Sequence, residues 1–486
     1  MNEINKILYE VLKEIKPTQE ELTFLDNLIE KLKKILEKKA KELDIKFVSI
    51  EPQGSTGIKQ TQLKNDSDLD LFIGLDYNLF KHNYEGLSKN KRKQAIKKDL
   101  LDYCNKWIKK SLEKSSSFSN ITLSYAEHPY VQVDYKKEGL TINLDIVLYF
   151  DLDLEFIKKK GPITAVDRSP WHGRFIQDNL SSEQRDDVRL LKQFFKACNC
   201  YGDKSPVGRI GFIGYSSELL IYHFLNIIEV FKNFNNLDKN PLDYYGREKE
   251  ELKKINHFKN EFMIIIDPID KNRNVASSIS HEAYKYCNHQ ISKFLKKPDK
   301  KYFKISEIPE FTIEKFKNIS SNLFIIEIKG INRKTHYTEL RDKVFSLGDY
   351  IRNQGEKEFT HESKFGDIIF GIYFEKERDE YNLAIFCENP LVSKIYERQG
   401  PLIMDYKHNS KFKEKNPYYF EKDGFLWTKT VRKHYRFIDF LKEIVDMRIP
   451  KNTNLINISE ADKTKTISGR RSLYILTHMV LPFSKY

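Results

Sequence analysis

At 486 residues with a formal net charge of +13, the chain has room for two to four domains and a sizeable core. Its 83 lysines and arginines against 70 acids favour a polyanionic partner, nucleic acid being the usual one, although a Lys-biased genome gives the same composition. Five cysteines (Cys104, Cys198, Cys200, Cys287, Cys387) in no paired framework, an N-terminus without signal design and the lack of a membrane-length apolar run point to a reduced, cytoplasmic setting.

Ile4, Ile7, Leu8, Val11, Leu12 and Ile15 fall on one face of a short helix, which Lys16-Pro17 ends. Thr18 and Glu21 have capping-box spacing for a second helix, with Leu22, Leu25, Leu28, Ile29, Leu32 and Leu36 along its apolar face. Both are expected to brace a sheet. A β-branched and aromatic run, Phe47 to Ile50, comes next, and Gly54-Ser55-Thr56-Gly57 then opens a polar, turn-rich stretch.

The run that follows alternates. Asp68, Asp70 and Phe72 share one face, and Leu69, Leu71 and Ile73 the other. Two carboxylates side by side raise each other's pKa unless a cation lies between them, and a hard divalent ion such as Mg²⁺ takes such an oxygen cluster. A Gly-Ser turn can present backbone N–H groups and a hydroxyl to a triphosphate. An isolated Asp-x-Asp is more often a pair of solvated acids on an edge strand. The Gly-Ser lead, the spacing and a third acid, Asp145 within the alternating Asn143–Val147, reverse those odds.

Leu87 to Lys110 is a basic helical stretch ending in Trp107-Ile108, its lysines read as a solvated face. His128 to Val133 starts a strand, Lys137-Glu138-Gly139 turns, and Leu140 to Phe150 returns carrying Asp145, so a first domain spans 1–155. Residues 156–300 read as mainly helical. Asp186 to Lys196 is periodic, and Lys192 with the following Tyr201 could reach phosphates across a cleft; surface solvation and core packing are the alternatives. Tyr215 to Phe224 is apolar enough for a central helix, and Arg273, in the loop Asp267–Val275, is a candidate phosphate or base contact.

In 301–440 the runs Phe324–Ile328, Ile368–Phe374 and Tyr381–Phe386 read as strands, with a helix over Tyr337–Arg352. Such an α/β sheet with many aromatics suits RNA, or is a plain scaffold with core aromatics. Residues 441–486, with Lys463, Lys465, Arg470, Arg471 and an apolar end, form a C-terminal extension without an assigned role. The fold class is α+β, multidomain.

Gly-Ser, twelve residues, then Asp-apolar-Asp-apolar resembles the signature of polymerase-β-like nucleotidyltransferases. Over residues 18–430 the chain resembles the archaeal-type, class I CCA-adding enzymes. The resemblance is carried by HPYV (128–131), DRSPWH (167–172), DVRLLKQFFK (187–196), GYSSELLIYH, DPIDKNRNVA (267–276) and ERQGPLI (397–403). It implies a nucleotidyltransferase head built on a mixed sheet, a helical central domain and a C-terminal α/β RNA-binding region. It also implies Mg²⁺ held by Asp68, Asp70 and Asp145, the catalytic trio, and a nucleotide bound by Gly54, Ser55, Lys59, Lys192 and Tyr201. His172 and Arg273 would line the pocket for the base and RNA end. The loop GSTGIKQT is one residue longer than the family form before Thr61. The implied partners are CTP, ATP and the 3′ end and acceptor/TΨC arm of tRNA, with no membrane; oligomeric state stays open, a homodimer among the options. An oligoadenylate synthase, a poly(A) polymerase and an inactive tRNA-binding protein are the alternatives.

Overall fold

The alternation that starts at Leu69 builds the sheet on which the acids sit. The computed structural model describes every residue except 1–2, 66–67, 126–127, 138–139, 332–334, 356, 358–363 and 485–486. The centre of the expected Lys137-Glu138-Gly139 turn therefore lies outside the described residues. The chain divides into two compact units, one of residues 1–198, 212–278 and 290–304, the other of 199–211, 279–289 and 305–486.

In the first unit, strands β1 (Ser49–Gln53), β2 (Leu69–Asp76), β3 (Phe118–Tyr125), β4 (Pro129–Lys137) and β5 (Leu140–Asp151) form one sheet in the order β1-β2-β5-β4-β3. β2 and β5 run parallel; the other pairs are antiparallel. Leu69, Leu71, Ile73, Leu144, Ile146 and Leu148 are buried against Leu28, Ile29, Leu32 and Leu36 of the helix Gln19–Glu42. Each such side chain contributes about 1.5–3 kcal/mol by leaving water, so a one-residue slip of either strand is strongly disfavoured. Thr18 caps that helix as expected, accepting from Glu21 N, while Glu21 Oε1 accepts from Asn65 N.

The basic stretch is helical over Lys89–Tyr103 and passes into a π-helix, Cys104–Lys109, that turns Trp107 and Ile108 inward. Trp107 Nε1 donates to Leu36 O at 2.8 Å, and the lysines of Lys89–Lys98 face solvent. β3 is a strand that the sequence pattern hides. Asn120 has φ +52° at a register shift between Ser119 and Thr122, a bulge that breaks the two-residue period. Helices Ser169–Asn179, Ser182–Ala197 and Gly214–Phe224 belong to the same unit as the sheet. Head and much of the helical middle thus share one body.

In the second unit, β6 (Leu323–Gly330), β7 (Ile368–Glu375), β8 (Glu380–Cys387), β9 (Ile395–Leu402), β10 (Phe420–Lys422), β11 (Phe425–Val431) and β12 (Thr453–Glu460) form two sheets, ordered β12-β6-β8-β7 and β10-β11-β9. The three strands and the helix expected between residues 323 and 387 are all present, the helix as Tyr337–Gly355. Residues 441–486 are not set apart from this sheet, because β12 is its edge strand beside β6. Glu327 of β6 is fully buried; its carboxylate accepts from Asn457 Nδ2, Lys465 N and Thr466 N, which fixes this segment in place. All five cysteines are buried and none is in a disulfide. Among the described residues no helix is long and apolar enough to cross a membrane.

Candidate active site

Parallel pairing of β2 with β5 sets Asp70 directly opposite Asp145. Asp68 stands just before β2 and is exposed. Gln132, the β4 neighbour of Asp145, donates its Nε2 to Asp145 Oδ1 at 3.0 Å. Burial first, then the charges of Asp145 and Asp68, push the Asp70 carboxyl up to about 7, against the pull of Lys59. Burial also raises Asp145, with Gln132 acting against it. Among the described residues no three acidic, imidazole or thiol side chains close into a ready metal-ligand group. The trio is therefore within electrostatic reach without being drawn together. Its donors are hard oxygens, and their mutual repulsion is what a divalent cation relieves, so the residues fit such an ion.

The turn before β2 is built around this pair. Gly54 has φ +70°, and a Cβ there would run into Asp70 Oδ2. Only glycine brings the backbone so close to the carboxylate. Thr56 Oγ1 donates to Asp68 O at 2.6 Å and Thr61 N to Ser55 O at 2.9 Å, tying the loop to the strand and to itself.

A cleft of about 430 Å³ opens over the acids. Gly54, Lys59, Asp70, Asp145, His172 and Arg273, all singled out from the sequence, line it, together with Tyr130 and Tyr215. Its far side is organised by Asp267, which is fully buried. Asp267 Oδ2 lies 2.8 Å from His172 Nε2 and accepts from Arg273 Nη1 at 2.9 Å; Oδ1 accepts from Tyr215 OH and Ile269 N, both at 3.0 Å. Burial alone would raise Asp267, but His172 and Arg273 hold it well below the usual carboxylate range. Burial lowers His172, with Asp267 opposing, and its ring stacks on Tyr215 at 4.3 Å.

Ser55 and Lys192 do not line this cleft, and Tyr201 belongs to the second unit. Lys192 was expected to reach across toward phosphates. It is instead buried behind the Gly-Ser loop, donating to Thr61 O at 3.0 Å and Thr61 Oγ1 at 2.9 Å. The physical reason is Glu218, also buried, whose Oε1 lies 3.6 Å from the ammonium. Glu218, Asp267, Tyr215 and Gln132 were missed from sequence. Glu218 had a signal: one acid inside the apolar helix Gly214–Phe224 needs a buried partner.

The mixed sheet, the Gly-Ser turn and the facing acids are the arrangement expected from the sequence's resemblance to polymerase-β-like nucleotidyltransferases. A family model described as "tRNA nucleotidyltransferase, second domain" matches residues 186–304. The CCA-adding enzyme of Methanocaldococcus jannaschii is 29% identical over 466 residues, covering 94% of this chain and 92% of that protein. That of Saccharolobus islandicus (strain M.14.25) is 27% identical over 443 residues, covering 91% and 93%. That of Methanococcus maripaludis (strain DSM 14266) is 34% identical over 309 residues, 61% of each. Among solved structures, the Cid1 poly(U) polymerase with Mg and 3′-dATP has a TM-score of 0.44 at 13% identity, covering 63% of this chain and 99% of that one. E. coli MS115-1 CdnC with ATP has a TM-score of 0.41 at 17% identity, covering 61% and 94%. Over more than nine-tenths of its length the chain is similar to proteins named CCA-adding enzymes.

Proposed function

We propose that the chain adds C, C and A, without a nucleic-acid template, to the 3′ end of tRNA, using CTP and ATP. The observation that carries this reading is Asp70 facing Asp145 across a parallel ladder, with Gly54 packed on Asp70 and Lys59 in the same cleft. Asp68, Asp70 and Asp145 would hold divalent cations, Mg²⁺ on this reading, which when bound acidify the attacking 3′-hydroxyl and neutralise the leaving pyrophosphate. The turn at Gly54 and Ser55 receives the triphosphate with backbone N–H groups and a hydroxyl, and Lys59 supplies positive charge from the cleft wall. His172, Tyr215 and Arg273, fixed by Asp267, form the surface against which base and RNA end are held. Wrong bases would leave buried polar groups there unpaired. Lys192 adds charge from behind the loop. The division of labour is a head at 1–155, a helical middle at 156–300, a tRNA-gripping region at 301–440 with the extension 441–486, in a cytoplasmic protein.

The test is incorporation into tRNA ending at its discriminator base, with Mg²⁺ and each of four labelled nucleotides. Three added residues, from CTP and ATP only, are expected. A long ladder would mean a poly(A)-polymerase-like activity, and no addition with intact tRNA binding would mean an inactive binder.

A further inference from the structure

The buried carboxylate of Glu218, on the helix Gly214–Phe224, ties that helix to the Gly-Ser loop and to the helix Ser182–Ala197 packed beside it. Its Oε2 accepts from Lys59 Nζ at 2.7 Å, and its Oε1 accepts from Thr61 Oγ1 at 2.8 Å. Lys192, from the helix Ser182–Ala197, donates to the same threonine twice and lies 3.6 Å from Oε1. Glu218 is 1% exposed and Lys192 3%. One negative charge therefore faces two positive ones in an interior that screens poorly. Arg189 adds a third positive charge nearby, itself paired with Asp186 at 2.6 Å. Glu218 alone leaves one positive charge of the two lysines uncompensated within the cluster, on the side where Lys59 lines the cleft beside Asp70 and Asp145.

We infer that Glu218 is a positioning residue for the nucleotide triphosphate: it fixes the Gly-Ser loop through Lys59 and Thr61 and holds the Lys192 ammonium in place behind that loop. The inference rests on the nucleotidyl-transfer reading above. An ion cluster of this kind that only braced the fold could be replaced by apolar residues at little cost. A positioning role makes a different demand, because the Lys192 ammonium must stay protonated at working pH. Burial already brings Lys192 down to about 8, with Glu218 opposing the fall and Lys59 and Arg189 assisting it. Without the Glu218 charge the lysine releases its proton at lower pH still.

The experiment compares wild type, Glu218→Gln and Glu218→Asp for KM and kcat with CTP and ATP on tRNA lacking CCA, at pH 6.5 and 8.5, with thermal unfolding alongside. For Glu218→Gln, the KM for both nucleotides should rise by about tenfold at pH 8.5, the loss of roughly one charge-assisted hydrogen bond. Part of that rise should disappear at pH 6.5, where the ammonium is restored, and kcat should move less than KM. Glu218→Asp, which keeps the charge, should retain the wild-type pH dependence. An unchanged KM at both pH values overturns the inference. So does a rise of equal size at both, accompanied by lower thermal stability, which marks a brace alone. If Glu218→Gln does not fold, the wild-type profile decides: KM should climb above pH about 8, and a profile flat to pH 9.5 overturns the inference. A wild-type protein that adds no nucleotide removes the nucleotidyl-transfer reading itself, and the inference with it.

Discussion

Replacing Gly54 by alanine separates the cost of a backbone conformation from the cost of disturbing the acids. Gly54 sits at φ +70°, where an L-residue loses about 1–2 kcal/mol. Its added methyl would also overlap Asp70 Oδ2, so the carboxylate must swing away or the turn must open. Either movement is about 1 Å at the reacting centre, which costs on the order of 10² in rate. Gly86 supplies the control, with φ +75° and nothing within 4 Å of the place a methyl would take there. Gly86→Ala should therefore lose the same 1–2 kcal/mol, roughly, and keep full activity. The assay is single-nucleotide incorporation into tRNA lacking CCA, with denaturant unfolding of both variants. The expected result is two similar stability losses and one large activity loss, in Gly54→Ala alone. Wild-type incorporation by Gly54→Ala would refute the argument that this turn is built around Asp70.

Asp68→Ala, Asp70→Ala and Asp145→Ala should each abolish incorporation while leaving tRNA affinity nearly intact by filter binding; normal turnover in any one removes that residue from the trio. Asp187 lies on the helix Ser182–Ala197, where burial raises its carboxyl from 3.8 to about 6, with Ile227 N opposing. A raised folded-state pKa gives stability that is full below 3.8 and lost as pH rises through about 6. Asp187→Asn should accordingly raise stability at pH 7.5 by about 1 kcal/mol, discounted for its partial exposure, and by nothing near pH 3; equal effects at both would contradict it. Affinity for tRNA should fall steeply with salt as phosphate contacts release counterions, and a flat response between 50 and 200 mM, roughly the range in which such contacts show, would dissociate the net charge from RNA binding.

The acids were legible because strand alternation has a period of two and leaves no choice of face: Leu69, Leu71 and Ile73 had to be buried, and Asp70 had to point away. That Asp145 would lie opposite it was not legible, since pairing of β2 with β5 is a long-range event that local pattern does not encode. The helix Gln19–Glu42 and its cap followed from periodicity and from Thr18. β3 was lost to the bulge at Asn120, and β12 to a register shift between Leu455 and Asn457 that breaks its alternation. The position of Lys192 could not be read because it depends on Glu218, on another helix, and a lysine on a periodic helix looks the same whether it meets water or a buried carboxylate. Asp267 was quoted only as part of a loop. Its role emerges when His172, Tyr215 and Arg273 are brought to it from separate segments.

The order of strands in the second unit governs how the chain must be made. β6 is an interior strand, buried along nearly its whole length, yet one of its two neighbours, β12, follows it by more than a hundred residues of sequence. During synthesis β6 and β8 can pair early, but one flank of β6 stays an open, apolar edge until residues 453–460 leave the ribosome. That exposed edge is a template for pairing with other chains, so ribosome stalling or premature termination between β8 and β12 yields a species prone to aggregate. Delivery of β12 is also anchored by charge rather than by apolar contact alone. Glu327, already buried in β6, waits for the N–H groups of Lys465 and Thr466, and it remains an unsatisfied carboxylate until they arrive. Pairing of the last strand and hydrogen bonding of that buried carboxylate therefore go together.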